Sequence, residues 1–276
     1  MVENVELISI GNELLIGKTL NTNAQWLSKR ITSLGLTISR ITVIGDIIEE
    51  IAQTLLDAFQ RNPLFIITTG GLGPTFDDKT LKGVAAAFDS KLRMNQIALN
   101  MIRKKYVEYA VVMSQKPFKL TPARRKMAEI PEEAKPLPNP VGTAPAIEIK
   151  RGDITIFSLP GVPLEMRAIF EASLLPVLKK AATNLTFFET SLFVNGIMES
   201  EMAPLIEQIM HDNPYVYIKS HPMGAEKKPR IELHLSTTAE VIEIAKKGVR
   251  RALAQLSELI KAKGGKIKQP KKPDKA

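Results

Sequence analysis

Residues 66–80 read Ile-Ile-Thr-Thr-Gly-Gly-Leu-Gly-Pro-Thr-Phe-Asp-Asp-Lys-Thr, which is an apolar strand followed by a glycine-rich turn and two adjacent carboxylates. Glycines remove side chains where the backbone must turn, so main-chain N–H groups can face an anion at the start of the next helix. Asp77 and Asp78 then stand where a divalent cation that bridges two phosphates can be held. The alternative is that one of them only caps that helix. The glycines of the turn are Gly70, Gly71 and Gly73.

The elements before this turn alternate between strand and helix patterns. Their order, β-α-β-α-β, predicts a mostly parallel sheet that helices cover on both faces, with ligands bound outside the carboxyl ends of the strands. Two strands joined by Arg151-Gly152-Asp153 read as a hairpin, and a helix follows them. The first five elements are predicted at residues 4–10, 21–34, 36–44, 48–60 and 64–68.

Glycines and polar residues follow the end of each predicted strand. Gly11, Asn12 and Glu13 follow the first strand, and Asp46 follows the second. Glu13 is a candidate general base or metal ligand, although an exposed loop carboxylate fits the pattern equally well. The chain from Gly11 to Thr19 is no P-loop, because five residues instead of four separate its glycines and Glu13 would repel phosphates.

Length and composition indicate a cytoplasmic protein with two domains. The chain has 276 residues, 44% of them apolar and 24% charged, which is typical of globular proteins. No apolar run approaches the roughly 20 residues that cross a bilayer, so we expect no contact with membranes. The absence of cysteine excludes disulfides and zinc–thiolate sites, so a metal ion must be bound by oxygen or imidazole.

The chain is predicted to divide into three parts. Residues 1–180 form the α/β domain, and residues 181–262 follow the order β-α-β-β-α of a small α+β module of the KH or ferredoxin-like kind. Residues 263–276, rich in glycine, proline and lysine, are predicted to be a disordered basic tail. From residue 261 onward, seven lysines and one aspartate carry +6 of the formal charge of +9, so the rest of the chain carries only +3.

Four motifs in this order resemble the competence/damage-inducible protein CinA family. The CinA N-terminal part is in turn similar to the molybdopterin-binding domain of MoaB and MogA, and the resemblance implies a three-layer α/β/α fold. The motifs are Gly-Asn-Glu-Leu-Leu-Ile-Gly at 11–17 with Asn-Thr-Asn at 21–23, Thr-Gly-Gly-Leu-Gly-Pro-Thr-Phe-Asp-Asp at 69–78, Asn-Pro-Val-Gly-Thr-Ala-Pro at 139–145, and Pro-Gly-Val-Pro-Leu-Glu-Met at 160–166.

The resemblance also implies chemistry on phosphoanhydrides. In CinA-type proteins this domain is associated with metal-dependent ADP-ribose pyrophosphatase activity, whereas MogA adenylylates molybdopterin with ATP and magnesium. We therefore expect a divalent metal ion (Mg, Mn or Co), a nucleotide or pterin ligand, and a homo-oligomer, either a dimer or a trimer. The nicotinamide mononucleotide deamidase activity of full-length CinA belongs to a C-terminal domain, so we expect this chain to lack it.

Site residues are assigned by matching positions in these motifs. Asp46 and Asp78 match the acidic residues of the family, and with Glu13 they are the candidate catalytic groups. Asp46, Asp77 and Asp78 are the candidate metal ligands, and Asp77 replaces a basic residue of the molybdenum-cofactor branch, which favours hydrolysis over adenylyl transfer. The candidate ligand-binding residues are Gly11, Asn12, Asn23, Thr69, Gly70, Gly71, Gly73, Thr75, Gly142, Thr143, Pro160, Gly161 and Glu165.

Two questions stay open at this point. Gly161 and Glu165 either complete the pocket or only close a tight turn between strand and helix. The site either hydrolyses a nucleotide or holds a nucleotide or pterin without turnover, and adenylyl transfer is a further possibility. RNA binding by the small module is not expected, because residues 182–262 contain no Gly-X-X-Gly loop.

Overall fold

The structure is a computed structural model, and it describes residues 4–112, 119–182, 186–223 and 229–268. The chain forms two compact units, the larger of which ends at Ala182. None of the helices in these residues has the length and apolar character needed to cross a membrane.

A six-stranded sheet forms the centre of the larger unit. Its strands are β1 (Asn4–Ile10), β2 (Thr37–Ile44), β3 (Phe65–Thr69), β6 (Lys135–Leu137), β7 (Ala146–Arg151) and β8 (Ile154–Leu159), and a separate pair consists of β4 (Leu92–Met94) and β5 (Glu129–Pro131). The spatial order in the sheet is β2-β1-β3-β8-β7-β6. The first four strands of that order run parallel, and only β7 runs antiparallel to its two neighbours, β8 and β6. The predicted hairpin and the mostly parallel sheet are both confirmed.

Helices connect these strands. A π-helical turn, Phe170–Leu174, joins the helix Pro163–Ile169 to the helix Leu175–Ala181. The helices of the larger unit are α1 (Asn12–Leu15), α2 (Thr22–Thr32), α3 (Ile48–Gln60), α4 (Thr80–Ala87), α5 (Gln96–Val112), α6 (Pro122–Lys126), α7 (Pro163–Ile169) and α8 (Leu175–Ala181).

The sheet is covered on both faces, as the α/β/α prediction requires. On one face, Ile51 of α3 and Val84 of α4 pack with the buried strand residues Ile8 and Ile66. Alternate strand residues point to the other face, because successive side chains of a strand alternate. On that side α2 contacts α7, and Trp26 of α2 packs edge to face against the ring of Phe170 at 5.2 Å.

The smaller unit is a four-stranded antiparallel sheet with two helices. Its elements are β9 (Thr186–Asn195), α9 (Glu199–Asp212), β10 (Tyr217–Pro222), β11 (Arg230–Ala239), α10 (Ile242–Ala262) and β12 (Lys266–Lys268). The strand order is β10-β11-β9-β12, and the helices bury Ile206 and Leu256 against Leu192 and Leu233. The β-α-β-β-α order predicted for this part is confirmed.

The structure corrects the prediction of a disordered tail over residues 263–276. Lys266–Lys268 form β12, which pairs antiparallel with β9, and Ile267 packs against the core of the smaller unit. One apolar side chain and an unpaired strand edge are sufficient to order this lysine-rich segment, because the edge offers hydrogen-bond partners to its backbone. Residues 269–276 lie outside the described part of the chain.

Candidate functional site

The glycine-rich turn follows β3 and packs closely against the end of β1 and the start of α4. Gly70 has φ +105°, and a Cβ atom there would lie 2.1 Å from the backbone oxygen of Ile10. Gly71 has φ +65°, and a Cβ atom there would lie 2.3 Å from Oγ1 of Thr80. The Thr80 hydroxyl donates to the Gly70 carbonyl at 2.8 Å. Only glycine fits these two positions, and the turn is therefore held rigidly where strand meets helix.

The side chain of Thr75 contacts both predicted carboxylates, those of Asp77 and Asp78. Its backbone N–H and its hydroxyl both donate to Oδ2 of Asp78, at 2.8 and 2.6 Å, and the hydroxyl also contacts Oδ1 of Asp77. A Cβ atom at Gly73 would lie 2.7 Å from the same Asp78 oxygen, so the missing side chain makes room for this carboxylate. Neither aspartate caps α4, because Lys79 occupies the position before its first residue. The capping alternative is therefore wrong.

Lys126 is a member of this group that the sequence reasoning missed. Its Nζ donates to the backbone carbonyl of Thr75, and it lines the same hollow as Gly71, Gly73 and Asp78. Partial burial lowers the pKa of Lys126, although the nearby Asp78 opposes this effect. Hydrogen bonding from Thr75 lowers the pKa of Asp77, and attraction to Lys126 adds to that effect. Nothing in the sequence of the five-residue helix α6 distinguishes Lys126 from its basic neighbours.

Asp46 is not part of the Thr75 group. Its carboxylate accepts a hydrogen bond from the backbone N–H of Asn12 at 2.9 Å, and its own N–H donates to Oδ1 of Asn12 at 3.3 Å. In the described residues no three His, Asp or Glu side chains are grouped closely enough to hold a metal ion. The predicted three-carboxylate set of Asp46, Asp77 and Asp78 is thus not assembled, because Asp46 follows β2 and β1 separates that strand from β3.

Five predicted site residues line one cleft at the carboxyl ends of β1 and β3. The side-chain amide of Asn23 donates to the carbonyl of Gly161 at 2.7 Å, which ties α2 to the turn before α7. That turn, which begins at Pro160, approaches the glycine-rich turn closely, since a Cβ atom at Gly161 would lie 3.4 Å from the Cα of Gly70. The five residues are Glu13, Asn23, Thr69, Gly70 and Gly161.

Glu13 lies directly over Gly11 at the entrance to this cleft. A Cβ atom at Gly11 would lie 2.5 Å from Oε1 of Glu13, and the backbone N–H of Gly11 donates to Ile44 at 3.0 Å. Both predicted residues therefore belong to the edge of the sheet where ligands of parallel α/β folds bind.

Asn139 organises the loop that carries Gly142. Its amide group donates to Glu165 Oε2 at 2.6 Å and to the Ala144 carbonyl at 2.9 Å, while its Oδ1 accepts from the Gly142 N–H at 2.7 Å. A Cβ atom at Gly142 would lie 2.0 Å from the carboxyl group of Glu165. Gly142 and Glu165 thus lie together, an approach that the sequence did not predict, whereas Thr143 lines a separate cavity beside α5.

The variant Asn139→Ala is expected to lower the free energy of unfolding by about 2–3 kcal/mol, because the buried Gly142 N–H and Ala144 carbonyl lose their partner. Urea denaturation followed by the fluorescence of Trp26, the single tryptophan, measures it. The control Asn95→Ala removes one helix-capping bond, to the N–H of Ala98, and should cost about 1 kcal/mol. Equal losses in the two variants would contradict the organising role of Asn139.

Comparison with known proteins places this arrangement in a family. The family described as "Probable molybdopterin binding domain" matches residues 6–180. A protein of Pyrobaculum arsenaticum is 42% identical over 260 residues, which cover 94% of this chain and 95% of that protein. The crystal structure of the protein CinA from Thermoplasma acidophilum is 39% identical with a TM-score of 0.57, over 63% of this chain and 98% of that one.

A more distant match is the molybdopterin biosynthesis enzyme MoaB of Thermus thermophilus, at 20% identity and a TM-score of 0.43, over 65% of this chain and 93% of that one. The match to the family over residues 6–180 includes the glycine-rich turn, the Thr75 group and the Asn139 loop described above. The chain belongs to the molybdopterin-binding domain family, and within it is a CinA-like protein.

Proposed function

We propose that the larger unit hydrolyses a nucleotide phosphoanhydride with the help of a divalent metal ion, and that ADP-ribose is the preferred substrate. Water would attack one phosphorus atom, the bridging P–O bond would break, and AMP and ribose 5-phosphate would leave. The observation that carries this proposal is the convergence of Asp77 and Asp78 on one hydroxyl, that of Thr75, beside a turn of fixed glycines.

The carboxylate oxygens of Asp77 and Asp78 are suitable ligands for a hard cation. Mg²⁺ and Mn²⁺ prefer oxygen ligands, and Mg²⁺ is commonly held by one or two carboxylates together with phosphate oxygens of the substrate. Asp77 and Asp78 supply two such carboxylates. A metal ion held there would neutralise charge on the phosphoryl oxygens and favour attack by water.

The other residues near the Thr75 group either would face the ligand or hold the backbone around the site in place. Thr75 fixes the direction of both carboxylates, and Lys126 holds the Thr75 carbonyl and adds positive charge near the expected phosphates. The Gly70 and Gly71 turn removes side chains that would block approach of a phosphate to the backbone. Asp46 fixes the start of α1 through Asn12, so we propose a positioning role for it in place of metal binding.

The second candidate is a binding module that holds a nucleotide or pterin without turnover. Membership of a molybdopterin-binding family favours it. Adenylyl transfer to a pterin would use the same site with ATP.

Product analysis separates these candidates. The protein is incubated with ADP-ribose and Mg²⁺, Mn²⁺ or Co²⁺, with a chelator in the control reaction. Metal-dependent formation of AMP and ribose 5-phosphate is the expected result. Binding by calorimetry without product, with all three metals, would contradict hydrolysis and support the binding module.

The variant Lys126→Met is expected to weaken Mn²⁺ binding in the presence of ADP-ribose by about tenfold, because a charged hydrogen bond to the Thr75 carbonyl is lost. Lys126→Arg should restore most of the affinity, since a guanidinium can make the same bond. The control Arg125→Met changes the neighbouring exposed residue and should leave the affinity unchanged. Equal affinities for Lys126→Met and Arg125→Met would exclude this role.

A further inference from the structure

The four-stranded sheet of the smaller unit has one face that its two helices do not cover. Leu192, Ile218 and Leu233 pack with the helices, and because successive side chains of a strand alternate, their neighbours in the strands point to the other, open face. We propose that this open face binds single-stranded nucleic acid, with lysines on the phosphates and aromatic and guanidinium groups against the bases. The proposal concerns the smaller unit alone and does not rest on the proposed function.

The first observation is an excess of positive charge on the open face. Four cations on it are exposed, and none of them forms an ion pair in the part of the chain that the structure describes. Its acidic residues are Glu189 and Glu232, and Glu189 is already hydrogen-bonded to Nε2 of His234 at 2.9 Å. A polyanion is complementary to such a surface. The four cations are Lys219, Arg230, Lys266 and Lys268.

The second observation is the placement of aromatic rings among these cations. Tyr217 is 55% exposed and lies two residues before Lys219 on the open face of β10. Arg230 lies over the ring of Phe193, with its Cζ atom 5.2 Å from the ring centre. Bases of single-stranded nucleic acids stack on aromatic rings and on guanidinium planes. The open face therefore offers two supports for bases, Tyr217 and the pair of Arg230 and Phe193.

The third observation is the spacing of the lysines at one edge of the sheet. Lys266 and Lys268 lie two residues apart on the same face of β12, which separates them by about 7 Å, similar to successive phosphates along a nucleic-acid strand. The chain continues beyond β12 with residues 269–276, whose sequence adds three lysines and one aspartate. KH modules clamp RNA with a Gly-X-X-Gly loop, which the sequence of this unit lacks, whereas stacking of bases on a sheet needs no such loop.

The test measures binding of the full chain to a fluorescein-labelled strand of twelve nucleotides by fluorescence anisotropy at several salt concentrations. Single-stranded RNA and DNA of one sequence are compared, and tight binding of either supports the proposal. The logarithm of the association constant should fall with the logarithm of the salt concentration with a slope of about −2 to −3, since each phosphate contact contributes about −0.7. The same DNA as a duplex should bind about tenfold more weakly, because its bases are already stacked on one another.

Two variants separate the phosphate contacts from the stacking contacts. The double variant Lys266→Gln with Lys268→Gln should make the salt slope shallower by about 1.4, because two phosphate contacts are lost. Tyr217→Leu should weaken binding about tenfold without changing the slope, because it removes a ring and no charge. The matched control, Lys247→Gln with Arg251→Gln, removes two exposed charges of α10 on the helical side of the sheet and should leave the affinity within about twofold.

The proposal is overturned if neither single strand binds at low salt, or if the control on α10 weakens binding as much as the double variant of β12. It is also overturned if the duplex or inorganic polyphosphate binds as tightly as the single strand, because the surface would then attract any polyanion. Displacement of the strand by phosphatidylserine vesicles at an equal concentration of negative charge would assign the open face to a membrane surface instead.

Discussion

The variant Asp78→Asn is expected to lose metal-dependent ADP-ribose hydrolysis by about a thousandfold or more, since a metal ion supplies several kcal/mol of charge stabilisation to phosphoryl transfer. The asparagine keeps an oxygen that can accept from the Thr75 N–H and hydroxyl, so the turn should stay folded. The loss would then arise from the missing charge. Steady-state release of AMP measures the effect.

The matched control for this variant is Asp153→Asn. Asp153 is an exposed aspartate in the turn between β7 and β8, away from the glycine-rich turn. It should keep full activity. Full activity in Asp78→Asn as well would mean that the carboxylate has no part in the reaction, and the hydrolase proposal would then lose its main support.

The variant Gly70→Ala is expected to lower the free energy of unfolding by about 3 kcal/mol and to abolish ligand binding. The positive φ of +105° costs an L residue about 1–2 kcal/mol. A Cβ atom 2.1 Å from the Ile10 backbone oxygen adds overpacking of about 1–3 kcal/mol, because the obstacle is backbone and not the end of a flexible side chain. Urea denaturation and calorimetric titration with ADP-ribose measure the two effects.

The variant Gly152→Ala separates the cost of a positive φ angle from the cost of the close contact with Ile10. Gly152 also has a positive φ, +58°, but no atom lies within 4 Å of a Cβ placed there. It should therefore show only the conformational cost of about 1 kcal/mol and normal ligand binding. Equal destabilisation of the two variants would show that contact with Ile10 does not make Gly70 obligatory.

The fold of the larger unit was predictable because strand patterns and helix patterns alternate along its first half, and the buried strand β3 leads directly into the glycine-rich turn. Gly70 and Gly71 were predictable as turn residues, since two adjacent glycines after a buried strand rarely serve another purpose. The order of the strands in space was not predictable from these patterns. The predicted metal site grouped Asp46 with Asp77 and Asp78, but β1 lies between β2 and β3 and separates Asp46 from the Thr75 group.

Two residues of the site were not among the predicted site residues. Lys126 belongs to a five-residue helix, and it reaches Thr75, 51 positions earlier, only through the folded chain. Asn139 was noticed only as part of a motif, and its role became visible through four hydrogen bonds that it makes within one loop and to Glu165. Both cases depend on contacts distant in sequence, which hydrophobic periodicity does not encode.

In the proposed reaction Asp78 holds a metal ion against the diphosphate of the ligand. Pulsed electron paramagnetic resonance on protein loaded with Mn²⁺ and ADP-ribose measures the hyperfine coupling between the manganese and phosphorus nuclei. We expect a coupling to phosphorus in the wild-type protein that disappears in Asp78→Asn and persists in Asp153→Asn. A wild-type complex without phosphorus coupling, or one whose coupling survives in Asp78→Asn, would contradict the claim.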